Sequence, residues 1–564
     1  MLAGCVPWPE EFSRRYHQLG YWEGISLFEM LRRSAARTPD KTALVDGECR
    51  CSYAELIRES EHLAAGLHGL GLRPLDRVIF QLGNGLDFMF AFLALLRIGV
   101  IPVMALPAHR RIEVGQWVRH AEAIAYFVPA SGRNFDFSAM ARQVAAEHPA
   151  LRWTVVAGEA GEGQVALSSL RAAGERMLAT MPYPLPEPAA DEVALMLLSG
   201  GTTGMPKLIP RTHNDYVYTA RRSSQAAGIE PQTVFLAVLP MAHNYTLACP
   251  GVLGVLAEGG TVVIAPGTAA EAVFSTIELE RVNVLAATVP LAAKWLDSGL
   301  FGQHDLSSLE VFINGGAKLP PELRRRIEER FHCHYQENFG TGEGLVNTTR
   351  RGDADELRFF SSGRPISEAD EIKVVDESGN ELPPGRIGEL VCRGPNTVRG
   401  YYKAPEATQA AFTSDGYYRM GDIVRVVEGY IYLEGRRKDL INRGGEKISC
   451  EEIEDYILAN PKIMSACVVA MPDEVFGEKA CAFVILRDRS ALTLSELVAF
   501  LESRGIARFK LPERLELVGE FPISPAGKIL RRELRERIAA QIARERAGRT
   551  ARTPGAMQPV AAHP

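Results

Sequence analysis

The sequence predicts a large α/β body with doubly wound sheets, followed by a β subdomain and a small α+β C-terminal domain. Three observations predict this fold class. Unbroken apolar runs recur between helical segments from residue 191 onward, the pattern becomes that of short paired strands after about 365, and mixed helices and strands return beyond about 440. A chain of 564 residues is also too long for a single ordinary core.

Helical and strand-like patterns alternate over the first 190 residues. The segment CSYAELIRESEHLAAGLHGLG, 51–71, predicts an amphipathic helix that begins at a Ser52 cap and ends at glycine. The most apolar segment, 88–106, is interrupted by an arginine, a glycine and a proline. It therefore predicts a buried helix, a turn and a buried strand, and not a membrane span.

The strands expected after residue 191 are continuous apolar runs. They read EVALMLLS, TVFLAVLP, TVVIAP, VNVLAATVP and LEVFING. Runs of this kind between helices indicate parallel strands that are covered on both faces. After about 365, DEIKVVDESGNELPPGRIGELVCRGP and GYIYLEGR indicate strands joined by tight turns, as in an antiparallel β subdomain.

The C-terminal part predicts a separate domain of about 100 residues. A helix fits CEEIEDYILANP, strands fit SACVVAMP and KACAFVILRD, and a second helix fits TLSELVAFLESRG. We expect an N-terminal core domain over 1–436, a mobile C-terminal domain over 437–545 and a tail over 546–564. The tail is rich in Pro, Gly and Ala, which predicts disorder.

Charge and cysteine usage exclude several classes of function. The net charge of −6 comes from acidic and basic residues mixed along the chain, which argues against a nucleic-acid partner. The nine cysteines are scattered, as in reduced thiols of a cytosolic protein. No signal peptide is visible. We therefore expect a cytoplasmic location without membrane or nucleic-acid partners.

The loop SGGTTGMPK, 199–207, has the composition of a phosphate-binding loop. Glycines let the backbone approach phosphates, and hydroxyls with a lysine can contact their oxygens; these residues are Ser199, Gly200, Gly201, Thr202, Thr203, Gly204 and Lys207. Lys207 stands between Pro206 and Leu208, which contradicts the P-loop pattern of an ATPase or kinase. The alternative is an ordinary polar turn after a strand.

Four further segments carry residues suited to nucleotide chemistry. Glu343 in NFGTGEG could bind magnesium beside Phe339, which could cover a base. Asp422 in DGYYRMGD could accept both hydroxyls of a ribose. The remaining two segments are GRRKDLINRGGEKISCEEIE, with Arg436 and Lys438, and FPISPAGKILRREL, with Lys528. Taken alone, Asp422 could be a turn carboxylate, Lys528 a surface lysine and Glu343 an acid at a helix N-terminus, but their order and spacing together favour the functional interpretation.

With these motifs, the chain resembles the adenylate-forming superfamily of acyl-CoA synthetases, peptide-synthetase adenylation domains and luciferases. The resemblance covers roughly 25–545. It implies an N-terminal domain of two α/β subdomains and a β subdomain, then a small mobile C-terminal domain. It also implies ATP and Mg²⁺ as cofactors.

The resemblance implies a role for each matching position. Ser199 to Lys207 would bind the pyrophosphate end of ATP, Lys438 would be the hinge, and Lys528 would be the lysine of adenylation. Glu343 would hold Mg²⁺, while Asp422 and Arg436 would fix the ribose. The residues expected around adenine are Gly315, Gly316, Asn338, Phe339 and Gly340.

The stretch PMAHNYTLACPG, 240–251, resembles the aryl-acid–AMP ligase branch, which makes aroyl-adenylates for siderophore assembly. The resemblance implies that Asn244 faces an ortho hydroxyl of the acid, that Tyr245 lines its ring and that His243 supports the site. An amide that pairs with the hydroxyl would reject analogues that lack it. The alternative is that His-Asn-Tyr is only a strand-to-helix turn.

Other pocket positions bear on which acid is activated. Cys249 is typical of salicylate enzymes, whereas Val346 is typical of 2,3-dihydroxybenzoate enzymes. We favour salicylate because a thiol at 249 changes polarity and not only volume. Gly315 is also expected to bind the aryl acid. Gly342 replaces the usual alanine, which predicts a roomier pocket floor, so a bulkier 2-hydroxyaryl acid is an open alternative.

The expected acceptor of the aryl group is the phosphopantetheine thiol of an aryl carrier protein. An aryl-CoA ligase that uses free CoA is the nearest alternative. A catalytically inactive scaffold is disfavoured because the charged residues expected at the site are all present: Lys207, Glu343, Asp422, Arg436 and Lys528.

Overall fold

The computed structural model of the chain describes most of its residues. The described ranges are 1–132, 135–180, 183–199, 206–436, 439–443, 446–487, 491–504, 506–524 and 528–550, without the side chains of 436, 446, 447 and 546–550. The predictions for Gly200, Gly201, Thr202, Thr203, Gly204 and Lys438 therefore lie outside the described residues.

Two units emerge from the contacts of the described residues. The large unit is Met1–Leu433, and the small unit is Glu434–Ser524 with the residues from Lys528 onward. The boundaries of the core domain, the mobile domain and the tail stay predictions.

Helices are distributed over both units, and those in the described part of the chain are α1 (Glu10–Gln18), α2 (Leu27–Arg37), α3 (Tyr53–Leu70), α4 (Leu86–Arg97), α5 (Arg111–Ala121), α6 (Phe137–Glu147), α7 (Leu167–Thr180), α8 (His213–Ala227), α9 (Asn244–Ala248), α10 (Gly251–Ala257), α11 (Ala270–Glu280), α12 (Val289–Leu296), α13 (Pro321–Phe331), α14 (Asp355–Phe360), α15 (Pro405–Ala411), α16 (Cys450–Leu458), α17 (Leu494–Ser503) and α18 (Arg531–Thr550). Among these described helices, none has both the length and the apolar character that a membrane crossing requires.

Strands alternate with these helices through most of the chain, and the described ones are β1 (Thr42–Asp46), β2 (Cys49–Ser52), β3 (Arg77–Phe80), β4 (Ile101–Met104), β5 (Ala125–Pro129), β6 (Trp153–Ala157), β7 (Val165–Ala166), β8 (Val193–Leu198), β9 (Leu208–Thr212), β10 (Val234–Ala237), β11 (Thr261–Ile264), β12 (Val284–Ala287), β13 (Val311–Gly315), β14 (His334–Thr341), β15 (Gly344–Thr348), β16 (Arg364–Pro365), β17 (Glu371–Val375), β18 (Gly388–Arg393), β19 (Tyr418–Val427), β20 (Tyr430–Arg436), β21 (Leu440–Arg443), β22 (Glu446–Ser449), β23 (Ile463–Asp473), β24 (Gly477–Leu486) and β25 (Arg514–Leu517).

Helix α3 shows how local sequence sets an element's ends. Ser52 caps it by accepting a hydrogen bond from the Glu55 backbone, and the Glu55 side chain accepts one from Ser52 in return. Gly71 ends the helix with φ +106°, a conformation that favours glycine. The predicted start and stop are both confirmed.

Two mostly parallel sheets form the α/β body of the large unit. The seven-stranded sheet has the order β7-β6-β5-β3-β4-β8-β9, and β8 and β9 pair antiparallel at its edge. The nine-stranded sheet has the order β16-β15-β14-β13-β12-β10-β11-β1-β2. Its central strands, from β14 to β1, run parallel. The predicted large α/β class is confirmed.

The first two strands show a connection that local patterns do not indicate. β1 pairs parallel with β11, more than 200 residues later in the chain, with Leu44 opposite Val262. The N-terminal segment therefore extends the nine-stranded sheet, while the strands that follow it begin the seven-stranded sheet. Only long-range pairing decides this order.

The two smaller sheets match the expected change in pattern. A four-stranded sheet of order β17-β18-β19-β20 follows the α/β body. In the small unit β22, β21, β24 and β23 form an antiparallel sheet, and β25 pairs parallel with β24. Helices α16 and α17 bury their apolar faces in one core of this unit, as expected for an α+β domain.

Candidate active site

The predicted phosphate-binding loop connects β8 to the edge strand β9. Two hydrogen bonds close its base: the Ser199 backbone donates to the Lys207 carbonyl (2.9 Å), and the Lys207 backbone donates to Ser199 Oγ (2.9 Å). The Lys207 side chain is exposed, and its ammonium lies 4.7 Å from the centroid of the Tyr401 ring. Cation–π contact of this kind orients the lysine.

Glu343 occupies the turn between β14 and β15, as the sequence predicts. The carboxylate is 7% exposed, and its Oε1 accepts a hydrogen bond from the Tyr401 hydroxyl (2.9 Å). Burial, followed by the charge of Glu343, raises the pKa of Tyr401 above its ordinary value, so this hydroxyl stays protonated and donates. Lys207 and Glu343 therefore contact the same aromatic side chain, which the sequence analysis did not single out.

The glycine after Glu343 is required by close packing. Gly344 has φ +136°, and a Cβ there would lie 2.5 Å from the Cα of Thr397. The neighbouring backbone of Val398 donates to the Glu343 carbonyl (2.8 Å). The turn is therefore held against the segment 396–398, which fixes the position of the carboxylate.

A buried arginine, whose role the sequence patterns did not predict, anchors the same turn. Arg211 at the end of β9 is 1% exposed, and its Nε donates to Asp215 Oδ1 at 2.7 Å. Its Nη1 donates to the Gly342 carbonyl (2.8 Å) and its Nη2 to the Asn396 carbonyl (3.1 Å). Arg211 and Asp215 are four residues apart across the Thr212 cap of α8. The sequence signal that could have revealed this pair is the presence of two opposite charges, four residues apart, between a buried strand and the start of a helix.

Asn244 lies at the start of the short helix α9, just after the capping residue His243. His243 Nδ1 accepts from the Tyr245 backbone (3.3 Å). Asn244 Oδ1 accepts a hydrogen bond from the Tyr216 hydroxyl (2.8 Å), and its Nδ2 donates to Cys249 Sγ (3.6 Å). The structure thus brings Asn244 and Cys249 together, and adds Tyr216 from α8.

Tyr245 packs directly over a glycine at the end of β13. A Cβ on Gly315 would lie 2.6 Å from Cζ of the Tyr245 ring, so a larger residue at 315 would displace that ring. The Tyr245 hydroxyl donates to the Ile313 carbonyl (3.0 Å). Gly316 follows with φ +89°, which turns the chain sharply beyond the strand.

The strand expected to line adenine meets the segment expected to line the acid. Asn338 on β14 donates through Nδ2 to the Cys249 carbonyl (2.9 Å). Gly340 pairs with Val346 across the β14–β15 hairpin, and Phe339 pairs with Asn347. Val346 is buried in the same apolar cluster as Tyr245 and Cys249. The predicted aryl and adenine positions therefore form one contiguous region.

Gly342 faces the hydrophobic core. A Cβ on Gly342 would lie 3.0 Å from Ile209 Cδ1 and 3.8 Å from Leu197 Cδ1. The side chain of Ile209 therefore already lies next to the space that an alanine methyl group at position 342 would occupy. Acceptance of a bulkier 2-hydroxyaryl acid stays a prediction.

The remaining predicted residues are Asp422, Arg436 and Lys528. Asp422 is within β19 and is 2% exposed, so it belongs to a strand and not to a turn. Arg436 is the last residue of β20, and its side chain is outside the described set. Arg436 and Lys528 belong to the small unit, whereas Asp422, like Glu343 and Asn244, belongs to the large unit.

Lys528 shares a backbone arrangement with Lys207. The Ser524 backbone donates to the Lys528 carbonyl (2.7 Å), and the Lys528 backbone donates to Ser524 Oγ (3.1 Å). The following helix α18 is anchored by Arg531, whose Nη2 donates to the buried Glu454 at 2.6 Å. In both loops, one serine therefore closes the base of the segment that carries the lysine.

These features can be compared with those of known proteins. Residues 31–402 match the AMP-binding enzyme family, and residues 452–528 match the AMP-binding enzyme C-terminal domain. A 2,3-dihydroxybenzoate-AMP ligase of Bacillus subtilis (strain 168) is 45% identical over 543 residues, covering 96% of this chain and 99% of the relative. Pyochelin synthase PchD of Pseudomonas aeruginosa is 44% identical over 538 residues, covering 95% and 96%.

A solved structure also matches the chain over nearly its full length. The apo structure of MbtA from Mycobacterium smegmatis matches with a TM-score of 0.72 and 40% identity, covering 95% of this chain and 99% of that chain. Both family matches and these full-length relatives agree with the residues found at the site. The chain therefore belongs to the AMP-binding enzyme family and, within this adenylate-forming superfamily, to the aryl-acid–AMP ligase branch.

Proposed function

We propose that the protein converts a 2-hydroxyaryl carboxylic acid and ATP into an aryl-adenylate and pyrophosphate, with salicylate as the favoured acid. The observation that carries the proposal is the cluster around Asn244. Its amide lies between the Tyr216 hydroxyl and the Cys249 thiol, and the next residue in the chain, Tyr245, packs its ring over Gly315. An amide beside an aromatic ring is suited to an aryl acid with an ortho oxygen.

The proposed reaction needs charge stabilisation and no protein nucleophile. A carboxylate oxygen of the acid attacks the α-phosphorus of ATP, and the bond from this phosphorus to the β-phosphate oxygen breaks to release pyrophosphate. Lys528 would neutralise the carboxylate and the α-phosphate, while Lys207 and the loop 199–207 would hold the leaving pyrophosphate. His243 would support the acid site.

We assign the nucleotide-binding residues by the roles that the resemblance implies. Asp422 and Arg436 would bind the ribose, and the segment from Asn338 to Gly340 would line adenine with Gly315 and Gly316. Glu343 suits Mg²⁺, because this ion is commonly held by one or two carboxylates together with substrate phosphates. The ion would neutralise charge on the phosphates.

The identity of the acid depends on the residues around the ring. Burial raises the pKa of Cys249 to about 12, so its side chain is a neutral thiol and a poor partner for a 3-hydroxyl. This favours salicylate. The alternative is 2,3-dihydroxybenzoate, which Val346 and the name of the Bacillus subtilis relative favour.

In the second half-reaction, a thiol sulfur would attack the acyl carbon of the adenylate and AMP would leave. We place this thiol on the phosphopantetheine of an aryl carrier protein in siderophore or nonribosomal peptide synthesis, with free CoA as the alternative acceptor. Movement of the 437–545 domain about Lys438 would remove Lys528 from the acyl group first. Thioester formation with a phosphopantetheinylated carrier protein and with CoA, compared directly, separates the two acceptors.

An acid-dependent ATP–pyrophosphate exchange panel tests the proposal. We expect exchange with salicylate to exceed exchange with 2,3-dihydroxybenzoate and methylsalicylates, and benzoate to be a poor substrate. Higher kcat/KM for 2,3-dihydroxybenzoate would replace the favoured acid by the alternative. Exchange that is equal for benzoate and salicylate would contradict the role of Asn244.

A further inference from the structure

We infer that Tyr216 is a positioning residue that decides specificity, because its hydroxyl holds the carbonyl end of Asn244 and makes the amide present its N–H donors to the acid. The inference rests on the proposed function and deepens it. It predicts that the enzyme accepts an ortho oxygen and rejects an ortho amino group. The acid in question is 2-aminobenzoate, which has nearly the shape of salicylate.

Tyr216 is itself fixed on several sides. It lies on α8 with 0% of its surface exposed, inside the main apolar cluster. The guanidinium of Arg211 lies 5.0 Å from the centroid of its ring. Because Arg211 is held by Asp215 and by the Gly342 carbonyl, the ring has a rigid support.

The direction of the hydrogen bond follows from the protonation of the phenol. Burial raises the pKa of Tyr216 well above its ordinary value, so the hydroxyl keeps its proton and donates to Asn244 Oδ1. The amide oxygen is then engaged, and Nδ2 points to the side of Cys249, to whose sulfur it donates at 3.6 Å. A half-buried Asn244 therefore offers a donor on this side.

The two acids differ in what their ortho groups need. In salicylate the hydroxyl proton is shared with the neighbouring carboxylate, so the ortho oxygen still has lone pairs that accept from an N–H donor. In 2-aminobenzoate one N–H points to the carboxylate and the other points outward, so the group needs an acceptor. An amide locked with Nδ2 outward suits the first acid and leaves the second with two opposed donors.

The variant Tyr216→Phe removes only the hydroxyl and leaves the ring under Arg211. The amide of Asn244 can then turn and present Oδ1 to the acid. We expect the ratio of kcat/KM for salicylate to that for 2-aminobenzoate to fall about tenfold, which is the worth of about one hydrogen bond. The ratio does not depend on how much of the variant is active.

Tyr218→Phe is the matched control. Tyr218 lies on the same helix, is only 2% exposed, and donates to Asp370 Oδ1 (3.3 Å) and not to Asn244. We expect it to leave the ratio within about twofold of that of the unchanged protein. A loss of selectivity that is equal in both variants would show a general packing effect and overturn the inference.

A second variant tests the same polarity with Tyr216 in place. Asn244→Asp keeps an acceptor for the Tyr216 hydroxyl and replaces the outward donor by an acceptor oxygen, so the ratio should again fall in favour of 2-aminobenzoate. An unchanged ratio in both Tyr216→Phe and Asn244→Asp overturns the inference, while exchange with salicylate itself would leave the proposed function intact. Absence of exchange with every 2-hydroxyaryl acid would overturn both.

Discussion

Replacing Arg211 by methionine is expected to destabilise the large unit while it keeps most of the side-chain volume. The guanidinium is buried and contacts acceptors on three segments of the chain. Its loss leaves the Asp215 carboxylate buried without its cation, and leaves the Gly342 and Asn396 carbonyls without this donor. Removing one partner of a buried ion pair costs about 3–5 kcal/mol.

The expected shift in melting temperature follows from the size of the unit. The entropy of unfolding is about 2.1 cal/mol/K per residue, which for the 433 residues of Met1–Leu433 gives about 0.9 kcal/mol/K. A loss of about 3–5 kcal/mol therefore corresponds to a decrease in Tm of about 3–6 °C. Scanning calorimetry of the whole protein measures it.

The control for this experiment is Arg222→Met on helix α8, which directly follows the strand that carries Arg211. Arg222 donates to the exposed Gln225 side chain (3.1 Å), so its loss should change the free energy of unfolding by no more than about 0.5 kcal/mol. The double variant Arg211→Met, Asp215→Leu should recover part of the lost stability, because no unpaired charge remains. Equal melting temperatures for the two single arginine variants would refute the reasoning.

Three further predictions concern the chemistry, the acid pocket and a buried acid. We expect Lys528→Ala to reduce adenylation by at least about a hundredfold, while thioester formation from preformed aryl-adenylate decreases much less; single-turnover assays of each step measure this, and equal losses would reject the assigned role. Cys249→Ser should shift relative kcat/KM towards 2,3-dihydroxybenzoate by about tenfold, because a hydroxyl can pair with the 3-hydroxyl; an unchanged ratio in pyrophosphate exchange would contradict the pocket assignment. Burial raises the pKa of Asp370 to about 8, so the folded chain holds a proton there that the unfolded chain releases near pH 4. The stability that this neutral carboxyl contributes is complete below about pH 4 and is lost as the pH rises to about 8. Between pH 5.5 and 7.5 the free energy of unfolding should therefore fall by about 2–3 kcal/mol relative to that of Asp370→Asn, as measured by chemical unfolding. If the two proteins lose stability in parallel over this range, Asp370 is ionised in the folded protein and the prediction is wrong.

Local patterns were sufficient for elements whose boundaries depend on neighbouring residues. The cap at Ser52 and the glycine stop at Gly71 require only contacts within one or two turns of α3. The segment 88–106 forms helix α4, a turn at Gly99 with φ +68° and strand β4, as predicted. Helix propensity, capping and glycine geometry act over a few residues, so the sequence displays them directly.

Pairings over long distances could not be predicted in the same way. The pairing of β1 with β11 joins residues that local periodicity treats as independent. A turn carboxylate was the alternative interpretation of Asp422, yet this residue lies within β19, whose pairing with β18 shifts register between Glu389 and Val391. Strand pairing depends on partners elsewhere in the chain, and a single sequence does not specify which partner is chosen.

The sequence by itself determined the family and the set of side chains expected at the site. The loop with Lys207, the turn with Glu343 and the stretch HNYTLAC carry their residue types in a recognisable order, because the chemistry requires particular groups at particular points of the chain. Only the tertiary structure decided how those groups are held. Tyr216 under Asn244, Tyr401 between Lys207 and Glu343, and Arg211 behind the Gly342 carbonyl are contacts between distant segments. The physical reason is that the orientation of a hydrogen bond and the burial of a charge depend on packing in three dimensions, which only the folded chain establishes.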